Sequence, residues 1–280
     1  MKIPKIKNLV LSGGGVKGFA ICGAIEKLDE KIKILSTAKN IYGSSIGAGI
    51  GLFLSIGLSP KKIRIIFDTI NLSEYMEADL KLLMSDFGLD KGNKIISLVK
   101  ATMVTQGIDP NITFEEFSKI SKYNLTIVGT NVNKSCPIYF SGKDSPNIQV
   151  CQALRISGGY PLAFTPVIID GDLCADGAIV CPLASELIPK KEKNRTLGIA
   201  VHRSFKRYDT NNVLNYMYGI ISCVLDSLLD KNIKSLKHVI KLSYPVNSLA
   251  HSLTDEEKQN MWECGTTNAE KWIQSFNNYE

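Results

Sequence analysis

Ile6-Lys7-Asn8-Leu9-Val10-Leu11-Ser12-Gly13-Gly14-Gly15-Val16-Lys17-Gly18 and, about thirty residues on, Ile41-Tyr42-Gly43-Ser44-Ser45-Ile46-Gly47 decide how this chain is read. Each stretch joins a short apolar run to a helix-like run through glycines. Continuous apolar runs of this length suit strands covered on both faces. The first turn offers a cluster of backbone N–H groups at the start of a helix, where negative charge is favoured. The second places Ser45 on a G-x-S-x-G turn, a tight strand-to-helix elbow that exposes the hydroxyl. A hydroxyl nucleophile beside an anion-stabilising backbone nest is the minimum equipment for acyl transfer.

Outward from these turns the chain alternates strand and helix signals. Phe19 to Leu28 carries Ile21, Ile25 and Leu28 on one side and reads as a helix. Ile32 to Tyr42 leads through a strand into the elbow, whose helix runs from Ile46 to Ile56. Ser59-Pro60 is a start signal for a helix through Phe67. Thr113 with Glu116, and Thr254 with Glu257, form capping boxes that open two more. Leu125 to Gly129 and Ile138 to Phe140 read as adjacent strands, Val167 to Leu173 as a hairpin around Gly171, and Leu197 to Val201 as another strand. Residues 211–243 read as mainly helical, and the poorly patterned stretch 71–112 as a mobile cap. This alternation predicts a three-layer α/β/α fold with a mostly parallel central sheet. No break in composition divides it, so residues 1–280 are expected to form one domain, with a core over about 6–201 and a helical part over 202–280.

Composition narrows the function classes. The chain has 280 residues, 44% hydrophobic and 21% charged, as soluble globular proteins do. Residues 40–60 carry no charge and match a membrane span in length. Their five glycines, four serines and the elbow itself fit a strand tail, a turn and a buried helix better. The apolar run at the N-terminus is too short for a signal peptide. Seven cysteines without a C-x-x-C pair read as reduced, buried thiols, and a cytoplasmic setting is expected. The net charge of +6 comes from 28 lysines and 5 arginines, without the arginine and aromatic clustering of nucleic-acid readers. Lys231, Lys234, Lys237 and Lys241 recur at helical spacing opposite Ile233, Leu236 and Ile240. That pattern fits either a core helix with a wet lysine face or a helix resting peripherally on an anionic membrane.

Competing chemistries fit less well. Gly13-x-Gly15-x-x-Gly18 matches a dinucleotide fingerprint, but no Asp or Glu lies between Glu30 and Asp68 to hold a ribose. A P-loop would need lysine where Phe19 stands. A Ser-His-Asp triad would draw on His202, His238 or His251, of which His202, at the end of a strand, is the best placed. The elbow, however, comes too early for an ordinary α/β-hydrolase. Asp176, in Cys174-Ala175-Asp176-Gly177-Ala178, is the other candidate base, provided burial raises its pKa.

In combination these motifs resemble the patatin-like phospholipase family. The resemblance rests on the Gly-Gly-Gly-x-Lys-Gly loop, Gly43-x-Ser45-x-Gly47, Asp176-Gly177-Ala178, and the segment from Ala153 through Ser157, Pro161 and Phe164 to Val167. It runs from about Ile6 to Val201. It implies a lipid acyl hydrolase with a Ser45–Asp176 dyad and no catalytic histidine. It also implies an oxyanion hole from the N–H groups of Gly13, Gly14 and Gly15, and a supporting basic residue at Lys17. The expected substrate is a phospholipid or other acyl lipid at a membrane surface, with no metal or cofactor; calcium is not needed in that family. An acyltransferase and a silent lipid-binding protein carry the same motifs. The lysine- and asparagine-rich composition suits a bacterial, viral or host-delivered protein.

Overall fold

β1 (Asn8–Leu11) is buried along its whole length. Leu9 and Leu11 pack into one apolar cluster and Val10 into another, because successive strand side chains point to opposite faces. A strand so covered needs layers on both sides, and the computed structural model supplies them. It describes residues 3–69, 78–203, 213–246, 250 and 252–276.

After β1 and a 3-10 turn at Gly15–Lys17 come α1 (Gly18–Ile32), α2 (Ile34–Thr37), β2 (Asn40–Ser44), α3 (Ile46–Ser55) and α4 (Pro60–Thr69). Then follow α5 (Leu80–Asp86), β3 (Gly88–Asp90), α6 (Asn93–Thr105), α7 (Phe114–Ile120), β4 (Asn124–Asn131) and β5 (Cys136–Phe140). Next are α8 (Val150–Ser157), β6 (Leu162–Phe164), β7 (Val167–Ile169), β8 (Asp172–Asp176) and β9 (Thr196–Arg203). The chain closes with α9 (Val213–Lys234), β10 (His238–Tyr244) and α10 (Asp255–Gln274). The central sheet has the order β10-β9-β1-β2-β4-β8-β7, with β5 also on β4. Its first five strands are parallel, and β5, β7 and β8 enter by antiparallel pairings. It is a mixed, mostly parallel sheet in an α/β fold, as expected. The large cluster gathers α1, α3 and α10 on one face, while Leu229 and Ile233 of α9 cover Val10, Val128 and Ala200 on the other.

Local signals hold where the chemistry is local. Both capping boxes form, each threonine accepting from the backbone N–H of its glutamate and each glutamate reaching back, worth about 1 kcal/mol apiece. Ser59 caps α4 through its hydroxyl, 3.3 Å from the Lys62 N–H. The Val167-to-Leu173 hairpin turns on Asp170 and Gly171, both at positive φ as a type I′ turn requires.

Two expectations are corrected. Residues 211–243 are mainly helical, as α9 shows, but the helix does not run on through 241 and the part after 202 is not all helical: α9 ends at Lys234, and His238–Tyr244 is an edge strand parallel to β9. From residue 239 the pattern has period two, with Ile240 and Leu242 buried and Lys241 and Ser243 exposed. Lys231 and Lys234 therefore sit on a helix end and Lys241 on a sheet edge, where lysine discourages further pairing. The helical lysine stripe does not exist. Second, the cysteines are all unpaired, but only Cys22, Cys151, Cys174 and Cys181 are buried; Cys136 and Cys264 are half-buried and Cys223 is exposed. Of the expected cap, residues 71–77 lie outside the described residues. The remainder contributes α5, β3 and α6, is held to the body by β3–β6 pairing, and buries Met103 completely.

Candidate active site

The sheet register brings the site together. One edge of β4 carries β2 as far as Ser44 opposite Val128, and β8 from Asp176 opposite Gly129. β5 overlaps both pairings, so it must occupy the other edge. β8 thus takes over the lane that β2 leaves at the elbow. Ser45, the residue after Ser44, meets Asp176 there although 131 positions separate them, and its hydroxyl donates to Asp176 Oδ2 at 2.7 Å.

Ser45 has φ 53° and ψ −125°, a conformation that L-residues rarely adopt and that costs on the order of 1–3 kcal/mol. Packing enforces it. A Cβ on Gly47 would lie 2.5 Å from the Leu11 carbonyl oxygen, so only glycine lets α3 start so close to β1. The Ser45 N–H donates to Ser157 Oγ at 2.9 Å, fixing the turn from α8. The neighbouring Ser44 hydroxyl is buried without a hydrogen-bond partner among the described residues, so of the two serines only Ser45 addresses the carboxylate.

Asp176 is 0% exposed. Its Oδ1 accepts from the Ala178 N–H at 2.8 Å, and its own N–H donates to the Gly159 carbonyl at 3.0 Å. Burial pushes its pKa up to about 7, against the lowering effect of the hydrogen bonds from Ala178 and Ser45. A carboxylate so tuned takes and releases a proton near neutral pH.

The triglycine loop faces this pair. A Cβ on Gly13 would lie 3.1 Å from Ala178 Cβ and 3.3 Å from Ser45 Cβ, so the loop touches both sides of the dyad. The Gly13 N–H donates to the Pro182 carbonyl at 3.2 Å, so Gly13 is a spacer rather than an open donor. Among the described residues the N–H groups of Gly14 and Gly15 meet no protein acceptor. Lys17 ends the 3-10 turn, is 2% exposed, and donates its N–H to the Gly14 carbonyl at 3.2 Å.

Two roles went unread in the sequence. Ser12 Oγ donates to the Gly13 carbonyl and accepts the Val201 N–H, each at 2.8 Å, tying the loop to β9. Ser157 holds the elbow across 112 positions. Their hydroxyls look like any others in the sequence, and their partners are fixed only by tertiary packing.

The histidines stand elsewhere. His202 lies in β9, its Nε2 3.3 Å from Asp230 Oδ1 but off the hydrogen-bonding direction. His238, expected on a helix, is in β10, with its ring 6.0 Å from Trp272 and 5.7 Å from Phe276. His251 lies outside the described residues. Among the described residues no histidine hydrogen-bonds to Ser45 or Asp176.

A family model described as patatin-like phospholipase matches residues 9–186, spanning the glycine loop, the elbow and Asp176. The chain belongs to the patatin-like phospholipase family. A probable lipid hydrolase of Invertebrate iridescent virus 6 is 30% identical over 231 residues, covering 78% of this chain and 77% of that protein. An uncharacterized protein of Acanthamoeba polyphaga mimivirus is 28% identical and covers 96% of this chain and 94% of its own length. Among solved structures, VipD from Legionella pneumophila aligns with a TM-score of 0.62 at 19% identity, over 97% of this chain and 67% of that one. ExoU of Pseudomonas aeruginosa, solved with SpcU, aligns at 0.53 and 20% identity, over 97% and 52%. These two share the patatin-like fold. The chain is accordingly a patatin-like enzyme, a lipid hydrolase. Among the described residues, no helix is long and apolar enough to cross a membrane.

Proposed function

We propose that the protein is a phospholipase A-type serine acyl hydrolase that cleaves fatty-acyl esters of glycerophospholipids through Ser45 and Asp176. The observation that carries this reading is the 2.7 Å hydrogen bond from the Ser45 hydroxyl to a carboxylate shut off from water. As Ser45 Oγ attacks the ester carbonyl carbon, its proton passes to Asp176 Oδ2. The tetrahedral oxyanion is met by the N–H groups of Gly14 and Gly15, with Gly13 as the close-packed spacer and the buried Lys17 supporting the turn. Collapse of the intermediate breaks the ester C–O bond, and the lysolipid alkoxide leaves with the proton from Asp176. Water then attacks the acyl-enzyme, gives its proton to Asp176, and the fatty acid departs as Ser45 recovers that proton. The reaction closes with both residues as they began.

Fatty-acid release from phosphatidylcholine vesicles, wild type against Ser45→Ala, tests this. Release that disappears in Ser45→Ala supports the dyad, and release that survives overturns it. Supplying a lysolipid acceptor separates hydrolysis from acyl transfer by whether free acid or diacyl product accumulates.

A further inference from the structure

α9 is amphipathic in an inverted sense over its first half. Val213, Tyr216, Met217, Ile220 and Val224 fall on one stripe at spacings of three, four, seven and eleven, and are between 40% and 76% exposed. Ser222, Leu229 and Ile233 point the opposite way and are buried, so the fold itself sets which face looks outward. Residues 213–225 carry no charge, whereas the chain's 21% charged composition would place about three charged residues in such a stretch. An isolated apolar side chain in water is ordinary; a contiguous stripe marks an interaction surface.

The other side of the same helix adjoins the site. The Tyr218 ring lies 6.0 Å from Tyr160, the residue after Gly159, whose carbonyl holds the Asp176 N–H. α9 also packs on the Gly177–Ile179 turn that follows Asp176. α5 in turn exposes Leu80 and Met84, followed by exposed Phe87. Gly88, the next residue, pairs with Leu162, two positions beyond Tyr160. The helix that carries the stripe and the strand that follows α5 thus both meet one segment, 159–164, whose Gly159 carbonyl holds the Asp176 N–H.

We propose that this outward face of α9, together with the apolar rim of α5, is the surface by which the enzyme docks on a lipid bilayer. The inference rests on the reading that the site acts on lipid esters. Such a substrate reaches Ser45 from a membrane, so the enzyme needs a lipid-facing surface, and an uncharged exposed stripe on a helix packed against the turn after Asp176 supplies one. A bilayer accepts an uncharged stripe with a tyrosine among its members, lying 5–10 Å deep or so in the interface. Thirteen uncharged residues span about 20 Å as a helix, short of the roughly 30 Å hydrocarbon core, so the helix lies in the interface rather than across it. The net charge of +6 draws the whole molecule toward anionic lipid.

The test is flotation with phosphatidylcholine–phosphatidylserine vesicles of the full chain carrying Ser45→Ala, which leaves the vesicles intact. Adding Ile220→Asp and Val224→Asp is expected to weaken partitioning by about tenfold or more. Because both positions already face water, the circular-dichroism spectrum and melting midpoint are expected to stay put. As a second reading, Tyr216→Trp fluorescence is expected to be quenched by brominated lipid beyond the background of Trp262 and Trp272. Unchanged partitioning of the aspartate variant, absent quenching, or a protein that stays in solution and dimerises through this face would each overturn the proposal. With Ser45 restored, the aspartate variant is expected to lose vesicle hydrolysis while retaining turnover of a soluble butyrate ester. A wild type that binds vesicles but cleaves neither ester would instead sink the acyl-hydrolase reading and leave the docking surface standing.

Discussion

At the floor of the site a carboxylate, Asp176, is shut away from water, while on the outer side of the helix that packs on the turn after it Met217, Ile220 and Val224 are held out in water. Both arrangements run against ordinary partitioning, and in opposite directions. The difference lies in how each is supported. Asp176 is held by Ser45 and the Ala178 N–H on its carboxylate and by Gly159 and Thr130 on its backbone, so the fold over-determines it. The α9 stripe is turned outward by the burial of the opposite face at Ser222, Leu229 and Ile233. A polar group forced dry is a device for chemistry, and an apolar stripe left wet is a device for contact.

Substitutions separate these devices by the size of their effects. Ser45→Ala removes the nucleophile and is expected to lower turnover by roughly four to six orders of magnitude, measured as acid release. Asp176→Asn keeps the shape but not the base, and is expected to cost about 10⁴ in kcat, with vesicle binding intact. Loss of binding in that variant would mean the floor and the outer face are not separable. Ser157→Ala strips the Ser45 N–H of its acceptor, a penalty of about 1–3 kcal/mol, so kcat is expected to fall roughly tenfold to a hundredfold with KM unchanged. His202→Ala is expected to change turnover by less than about twofold. A larger loss there would bring back a histidine base.

The carboxylate also gives the pH dependence a definite sign. Asp176 must be ionised to accept the serine proton, so turnover is expected to rise with pH to a plateau, with its midpoint at about 7. Stability runs the other way. The native state keeps a proton that the unfolded chain, with an ordinary aspartate pKa of about 3.9, has released. Stability is therefore expected to fall as pH rises from about 4 to about 7 and then level off, and Asp176→Asn is expected to remove that slope in denaturant titrations.

What the sequence revealed divides along the same physical line. The elbow, the triglycine loop, the two capping boxes and the Asp170-Gly171 hairpin were legible because each depends on residues a few positions apart. The Ser45–Asp176 pairing was legible through the conjunction of motifs, although its cause is the lane change along β4 at Val128 and Gly129, which no local pattern encodes. The lysines at 231, 234, 237 and 241 misled because two short regular patterns, a helix end and an edge strand, happen to continue one another's spacing. Ser12 and Ser157 stayed hidden because a hydroxyl does not announce a partner far along the chain. Gly13 was expected to donate to an oxyanion, and its donor is used by Pro182, a contact made only when the loops after β1 and β8 pack.

The central claim is that Ser45 is the residue activated by the buried carboxylate, and the most direct measurement is to map the covalent adduct of a fluorophosphonate by peptide mass spectrometry. The account predicts a single adduct on Ser45, formed near neutral pH and slowed by orders of magnitude in Asp176→Asn. An adduct on another side chain, or one that forms at an undiminished rate in Asp176→Asn, would contradict it.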